Sequence, residues 1–228
     1  MTKQEKLQDI QVKPDSFECS VTADITVFGY VDGKLKILLI KRSFGHFKNQ
    51  WHVPGGVMEA DETIEDCAAK VLFSLTGFRD IHFEQVKTYT ELDRHPLKRV
   101  ITVCFYALVR PENHPLTLRD NVTSIDWFDM DKIPEKLGYD HEKLINEAYL
   151  FVQNNLRHKL IVGELLPKEF TLQELQNLYE DILDVELDRR NFRKRIFQMD
   201  VLENTGEKKQ GVKGGPYLYR LKQSKAIR

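Results

Sequence analysis

Two runs rich in β-branched and aromatic residues, TADITVFGYV (22–31) and LKILLIKR (35–42), flank Asp32-Gly33, a dipeptide that supplies the positive φ angles of a tight turn; together they predict a β-hairpin. HFEQVKTYTEL (82–92), RVITVCFYALV (99–109) and VTSIDWFDM (122–130) predict further strands, whereas apolar positions recur at helical spacing over 62–75 and 141–157. The polar PENHPLT (111–117) between strands predicts a surface loop. Strands interrupted by a few helices imply an α/β (α+β) mixed sheet sandwiched by helices.

The pattern changes past residue 157. In LLPKEFTLQELQNLYEDIL (165–183), Thr171 is placed to cap a helix, with Glu174 three residues on completing a capping box. A short link leads to Asp188, a second N-cap, and to the cationic helix RRNFRKRIFQM, in which Phe192, Ile196 and Met199 form an apolar stripe. The turn-rich, basic NTGEKKQGVKGGPYLYRL follows. Two helices, the second basic, followed by a β-wing are the layout of a winged helix-turn-helix. The expected domains are 1–155 and 156–228.

Charge sharpens the division. The formal net charge is -1, but residues 186–228 hold twelve Lys/Arg against five acids, a net +7 that leaves −8 on the remainder. Three widely spaced cysteines without a C-x-x-C pair indicate neither a disulfide framework nor a zinc ribbon. The N-terminus has no apolar core of a signal peptide, and no run reaches the roughly 18 apolar residues that cross a bilayer. A cytoplasmic protein without membrane contact is the expectation.

QWHVPGGVMEADETIEDCAAKVLFSLTGF (50–78) carries a partial motif: Gly56 and Glu62 open it at G-x5-E, and Gly77-Phe78 close it. This stretch resembles the hydrolase box of the Nudix fold, G-x5-E-x7-R-E-U-x-E-E-x-G-U with U apolar. The resemblance fails at the centre, where the chain has Lys70, Val71, Leu72, Phe73, Ser74 and Leu75. Positions 71, 74 and 75 share one helix face, which in the enzymes carries the carboxylates that hold magnesium. Valine and leucine offer no oxygen to a hard cation. No catalytic residue, metal or cofactor is therefore expected. The alternative is a hydrolase or sensor of ADP-ribose or a related nucleotide, with Glu59 and Glu62 as displaced ligands.

Joined to a basic winged helix, such a domain resembles the Nudix-related transcriptional regulators of the NrtR type, through DRHPLKRVITVCFYALV (93–109), GYDHEKLINEAY (138–149), LLPKEFTLQELQNLYEDIL, LDRRNFRKRI (187–196) and GGPYLYRL (214–221). A branch with strongly degraded boxes, including the arabinose-utilisation regulator of the Bacteroidetes, is the most similar. The resemblance implies a homodimeric regulator, with repression the commoner mode, that binds a double-stranded operator and senses a small sugar such as L-arabinose.

Read from the residues, Arg189, Arg190 and Asn191 occupy the first turn of the basic helix, where side chains reach base edges, and Arg193, Lys194 and Arg195 extend the charge. Lys208, Lys209 and Lys213 of the wing are placed for phosphates, and Thr171 completes the candidate DNA-binding set. The candidate ligand residues are Asp24 and Lys41 on the first hairpin, Gly55, Gly56 and Glu59 before the box, and Glu91, Asp93 and His95 at a strand end. Trp51 or Phe44 offers an aromatic platform for a sugar, while Arg94, Lys98 and Arg99 suit a nucleotide.

Overall fold

In a computed structural model, the protein is described over residues 18–119, 121–157, 160–211 and 213–222. The predicted hairpin forms from β1 (Ser20–Val31) and β2 (Lys34–Arg42), with Asp32 and Gly33 both at positive φ in its turn. Two short strands missed by the sequence reading follow, β3 (Trp51–His52) and β4 (Gly55–Val57). Helix α1 (Ile64–Thr76) starts from Thr63, whose hydroxyl accepts from the Asp66 amide, and ends at Gly77 in the left-handed region. The domain continues with β5 (Phe83–Tyr89), β6 (Val100–Val109), β7 (Val122–Asp129) and α2 (His141–Leu156).

These seven strands make one mixed sheet, with β1 and β6 parallel at its centre and the other pairs antiparallel. Its central strands read as near-continuous apolar runs because both faces are covered. On β2, Leu38 and Ile40 pack with Val71, Leu72 and Leu75 of α1, while Ile37 and Leu39 face the opposite core with Ile145 and Val152 of α2. The polar Asp24 interrupts the apolar face of β1 and is only 7% exposed.

The remaining elements are β8 (Phe170–Thr171), α3 (Leu172–Leu183), α4 (Arg189–Gln198), β9 (Leu202–Lys208) and β10 (Tyr217–Leu221), the three strands forming a small sheet in the order β8-β10-β9. The capping box of Thr171 with Glu174 is present, and the Asp188 carboxylate caps α4 through the Asn191 amide at 2.8 Å. Among the described residues, no helix is long and apolar enough to cross a membrane.

Candidate ligand cleft and nucleic-acid interface

A cleft opens at the end of the sheet where β1, β4, the loop before β6 and the start of α2 converge. Asp24 pairs with Gly55 across β1 and β4. A Cβ at position 55 would lie 1.7 Å from Asp24 Oδ1, so only glycine lets the carboxylate sit there. The Arg42 guanidinium, at the end of β2, donates to the Gly55 carbonyl. Arg94 is 9% exposed despite lying in a charged loop. It forks onto Asp140 at 3.1 and 2.9 Å and donates a further hydrogen bond to Thr102. Tyr139 adopts φ 57, a left-handed conformation that costs a bulky residue about 1 kcal/mol. Its ring stacks on His95 (5.3 Å) and meets Phe47 edge-on (4.6 Å).

These groups border an inner chamber of about 140 Å³, lined among others by Asp24, Arg42, His52, Gly55, Arg94 and His141. An outer recess of about 330 Å³ shares Arg94 and Tyr139 with it and adds Phe47, Glu91, Asp93 and Lys143. Burial sets the protonation of the chamber. It raises Asp24 to about 6 against the opposing pull of Arg94, and it lowers His52 to about 4, helped by Arg42. Burial also holds His141 well below its ordinary value, and its Nδ1 accepts the Val53 amide at 3.1 Å. Both imidazoles are thus neutral near pH 7. Arg42 Nε, His52 Nδ1 and Glu91 Oε2 are buried without a hydrogen-bond partner among the described residues. Each such group costs roughly 1–3 kcal/mol; Arg42 and His52 line the chamber and Glu91 the recess, where a ligand can satisfy them, whereas Arg119 Nε and the Tyr179 hydroxyl are unpartnered away from both.

Of the expected ligand residues, Asp24, Gly55, Gly56 and His95 line the chamber, and Glu91 and Asp93 line the recess. Two fall elsewhere. Lys41 points its ammonium over the Trp51 ring at 4.7 Å, and Glu59 is bound to Lys70 at 3.0 Å. Trp51 itself packs edge-on against Phe128, and Phe44 stands 52% exposed under Arg42, so the aromatic wall is Tyr139 with Phe47 instead. Of the proposed nucleotide-binding cations, Arg94 and Lys98 line the chamber, while Arg99 donates to the Glu91 carbonyl. Arg42, His52, Asp140, His141 and Lys143 went unrecognised in the sequence.

Two of the three Nudix-box positions on α1, 71 and 75, turn inward, while Ser74 stays exposed. Val71 and Leu75 are 5% and 8% exposed in the core, and the Ser74 hydroxyl donates to the Val71 carbonyl. Lys70 lies between Glu59 at 3.0 Å and Glu62 at 2.8 Å, so an ammonium already neutralises the neighbouring carboxylates. Magnesium needs several oxygen ligands in near-octahedral array, and this donor set does not fit it. Among the described residues, no group of three or more His, Cys, Asp or Glu side chains is placed to hold a metal.

At the other end of the molecule, Phe192 and Ile196 seat α4 in the core with Met199 half-buried, leaving Arg189, Arg190, Asn191 and Lys194 exposed. Arg189, Arg193 and Phe197, spaced one helical turn apart, form one wall of a groove of about 600 Å³. Lys208, Lys213 and Tyr217 of the wing form the other, with the Lys208 ammonium 5.3 Å above the Tyr217 ring. Two expected DNA contacts are used inside the fold. Thr171 is 3% exposed, its hydroxyl spent on the capping box, and Lys209 is paired with Glu174 at 2.6 Å, fastening the wing to the start of α3.

Residues 22–148 match the family described as the NUDIX domain, and residues 162–221 match the NrtR DNA-binding winged helix domain. An Acinetobacter baylyi protein named ADPR responsive transcriptional repressor NtrR is 32% identical over 204 residues, which span 88% of this chain and 81% of that protein. The crystal structure of Shewanella oneidensis NrtR complexed with a 27mer DNA superimposes with a TM-score of 0.79 at 30% identity, covering 89% of this chain and 93% of that one. The NUDIX domain of the same Shewanella protein, complexed with ADP ribose, gives 0.56 at 27% identity over 67% of this chain and 99% of that one.

Proposed function

Since the chain belongs to the NrtR-type family of DNA-binding transcriptional regulators, which join a Nudix domain to a winged helix, we propose that the cleft is its sensor and that an occupying molecule resets operator affinity. The observation that carries this reading is the pair of buried, unpartnered Arg42 and His52 atoms lining the chamber, with Glu91 Oε2 in the adjoining recess. ADP-ribose is the effector that the relatives' names favour. Arg42, Arg94 and Lys98 offer cations to its diphosphate, and the recess behind Tyr139 gives room beyond one sugar. The comparisons lend no support to the sugar-responsive branch expected from the sequence. A second reading, a free pentose such as L-arabinose, draws on the chamber alone, since about 140 Å³ takes a single small ring whose hydroxyls Asp24 and the neutral His52 and His141 can bond.

The same reading makes the cleft a receptor that does not cleave, because the α1 face gives magnesium no carboxylates. It also makes the regulator a repressor acting as a homodimer on a two-fold operator, one recognition helix per half-site. The deciding experiment is a melting-temperature series with ADP-ribose and L-arabinose, with and without Mg²⁺, while product formation is followed. A ligand at a hundred times its Kd adds about 2.7 kcal/mol of stability. A shift with ADP-ribose and no product supports the first reading, and a shift with L-arabinose alone supports the second. Magnesium-dependent hydrolysis restores the enzyme, and the absence of any shift removes the sensor.

A further inference from the structure

Besides a short 3-10 turn at Val162–Leu165, the winged helix has two α-helices, α3 and α4, and the apolar stripe of α3 is wider than α4 covers. Leu172, Leu175, Leu178, Tyr179 and Ile182 are all buried, whereas α4 buries only Phe192 and Ile196, with Met199 half-buried after them. Leu166 and Phe170 before the helix and Tyr219 and Leu221 of β10 add to the cover, and the other domain completes it. Ile145 and Val152 of α2 belong to the same continuous core as Leu178, Ile182, Phe192 and Ile196. Polar contacts hold the junction in register. The Tyr149 hydroxyl and the Gln153 amide of α2 both donate to the Ile182 carbonyl, at 2.8 and 2.7 Å, and the Leu35 amide of the first hairpin donates to the Asp181 carboxylate at 2.6 Å. The carbonyls in the last turn of a helix have no partner within it, so α2 satisfies one that α3 cannot.

The other end of α2 lies in the cleft. Asp140, immediately before its first turn, is the residue on which Arg94 forks, and His141 and Lys143 of that turn line the chamber and the recess. A molecule that draws Arg94 or His141 toward itself therefore pulls on the start of a sixteen-residue rod whose far half is bonded to α3. We propose that α2 belongs to both units: it supplies the winged helix with a third α-helix for its core, and it carries occupancy of the cleft to α3 through Tyr149 and Gln153. The signalling half of this proposal rests on the sensor reading above. The structural half does not.

Full-length protein tests both. Calorimetric unfolding without ligand is expected to show one cooperative transition, and two resolved transitions would overturn the shared core. For the signalling half, operator Kd is measured with and without saturating ADP-ribose, and again with L-arabinose, using a duplex selected from a random pool by the wild-type protein. The ratio of the two values is the coupling factor, which in allosteric proteins is typically about 5–150. In Tyr149→Phe/Gln153→Met, ligand Kd and ligand-free operator Kd are expected to hold within about twofold while the coupling factor falls toward one. Tyr149→Phe alone, which keeps its ring beside Phe28, is expected to give a partial loss. Unchanged coupling overturns the proposal, and so does a loss of ligand-free operator binding, which would make the pair merely structural. A wild-type coupling factor of one with both probes would instead overturn the sensor reading and the signalling half with it, while the single transition still judges the shared core.

Discussion

In the cleft, the inner charged groups are held by one another and shielded from water, Arg94 by Asp140 and Asp24 beneath Arg42 and Arg94, while the Lys143–Glu91 pair closes the exposed rim. Along α4 the opposite holds, and among the described residues no carboxylate pairs with Arg189, Arg190, Arg193 or Lys194. On the proposed sensor reading, the contrast follows from what each region faces. A small molecule is selected by a few desolvated groups fixed in position, whose interactions strengthen as water leaves. A polyanionic duplex is gripped by solvated cations that displace its counterions, which yields affinity and speed but little geometry. In one chain the two demands are met by different neighbourhoods, not by different residue types, since arginine serves both.

The largest effect that would sharpen this contrast is expected from Arg94→Ala. Removing one partner of a buried ion pair leaves Asp140 uncompensated, which costs about 3–5 kcal/mol, and chemical denaturation should report a loss of that order together with the effector response. The double change Arg189→Ala/Arg193→Ala is next. Fluorescence anisotropy should show operator affinity reduced about a hundredfold, with the effector-induced melting shift untouched; a change in that shift would break the separation of the two regions.

Asp24→Asn probes burial directly. Because burial raises the folded-state pKa of Asp24 to about 6 from an ordinary 3.8, the folded chain keeps a proton that the unfolded chain has released between those values. Stability from this group is therefore greatest at low pH and is lost as pH rises through that window. The variant has no such loss, so its stability relative to wild type should climb between pH 4 and pH 7 by about 2 kcal/mol and then level off. A flat difference would show that Asp24 is solvated. The smallest effect is that of salt: from 50 to 200 mM, operator affinity should fall about tenfold or more while effector affinity changes severalfold at most.

Local chemistry was legible in the sequence wherever it was local in space. The hairpin turn at Asp32-Gly33, the capping box at Thr171 and the Asp188 cap depend on residues within four positions of one another, and all three form. The Gly56, Glu62 and Gly77 spacing likewise marked α1 and its flanking turns. The cleft was legible only in part because its walls come from five separated stretches. Arg94 lies in DRHPLK, which reads as a solvated loop until Asp140, forty-six positions away, is brought to it. Lys41 and Arg42 look equivalent in sequence, yet strand alternation sends one over Trp51 and the other toward Gly55. Thr171 and Lys209 carried the right chemistry for phosphate, but a cap and an ion pair inside the fold use them first.

The tight approach of Gly55 to Asp24 limits what protein engineers can do with the cleft. Even alanine there would collide with the acid, so a library aimed at new ligands gains nothing by randomising that codon. Diversity belongs instead on Phe47 and Lys143, two of the side chains that line the outer recess.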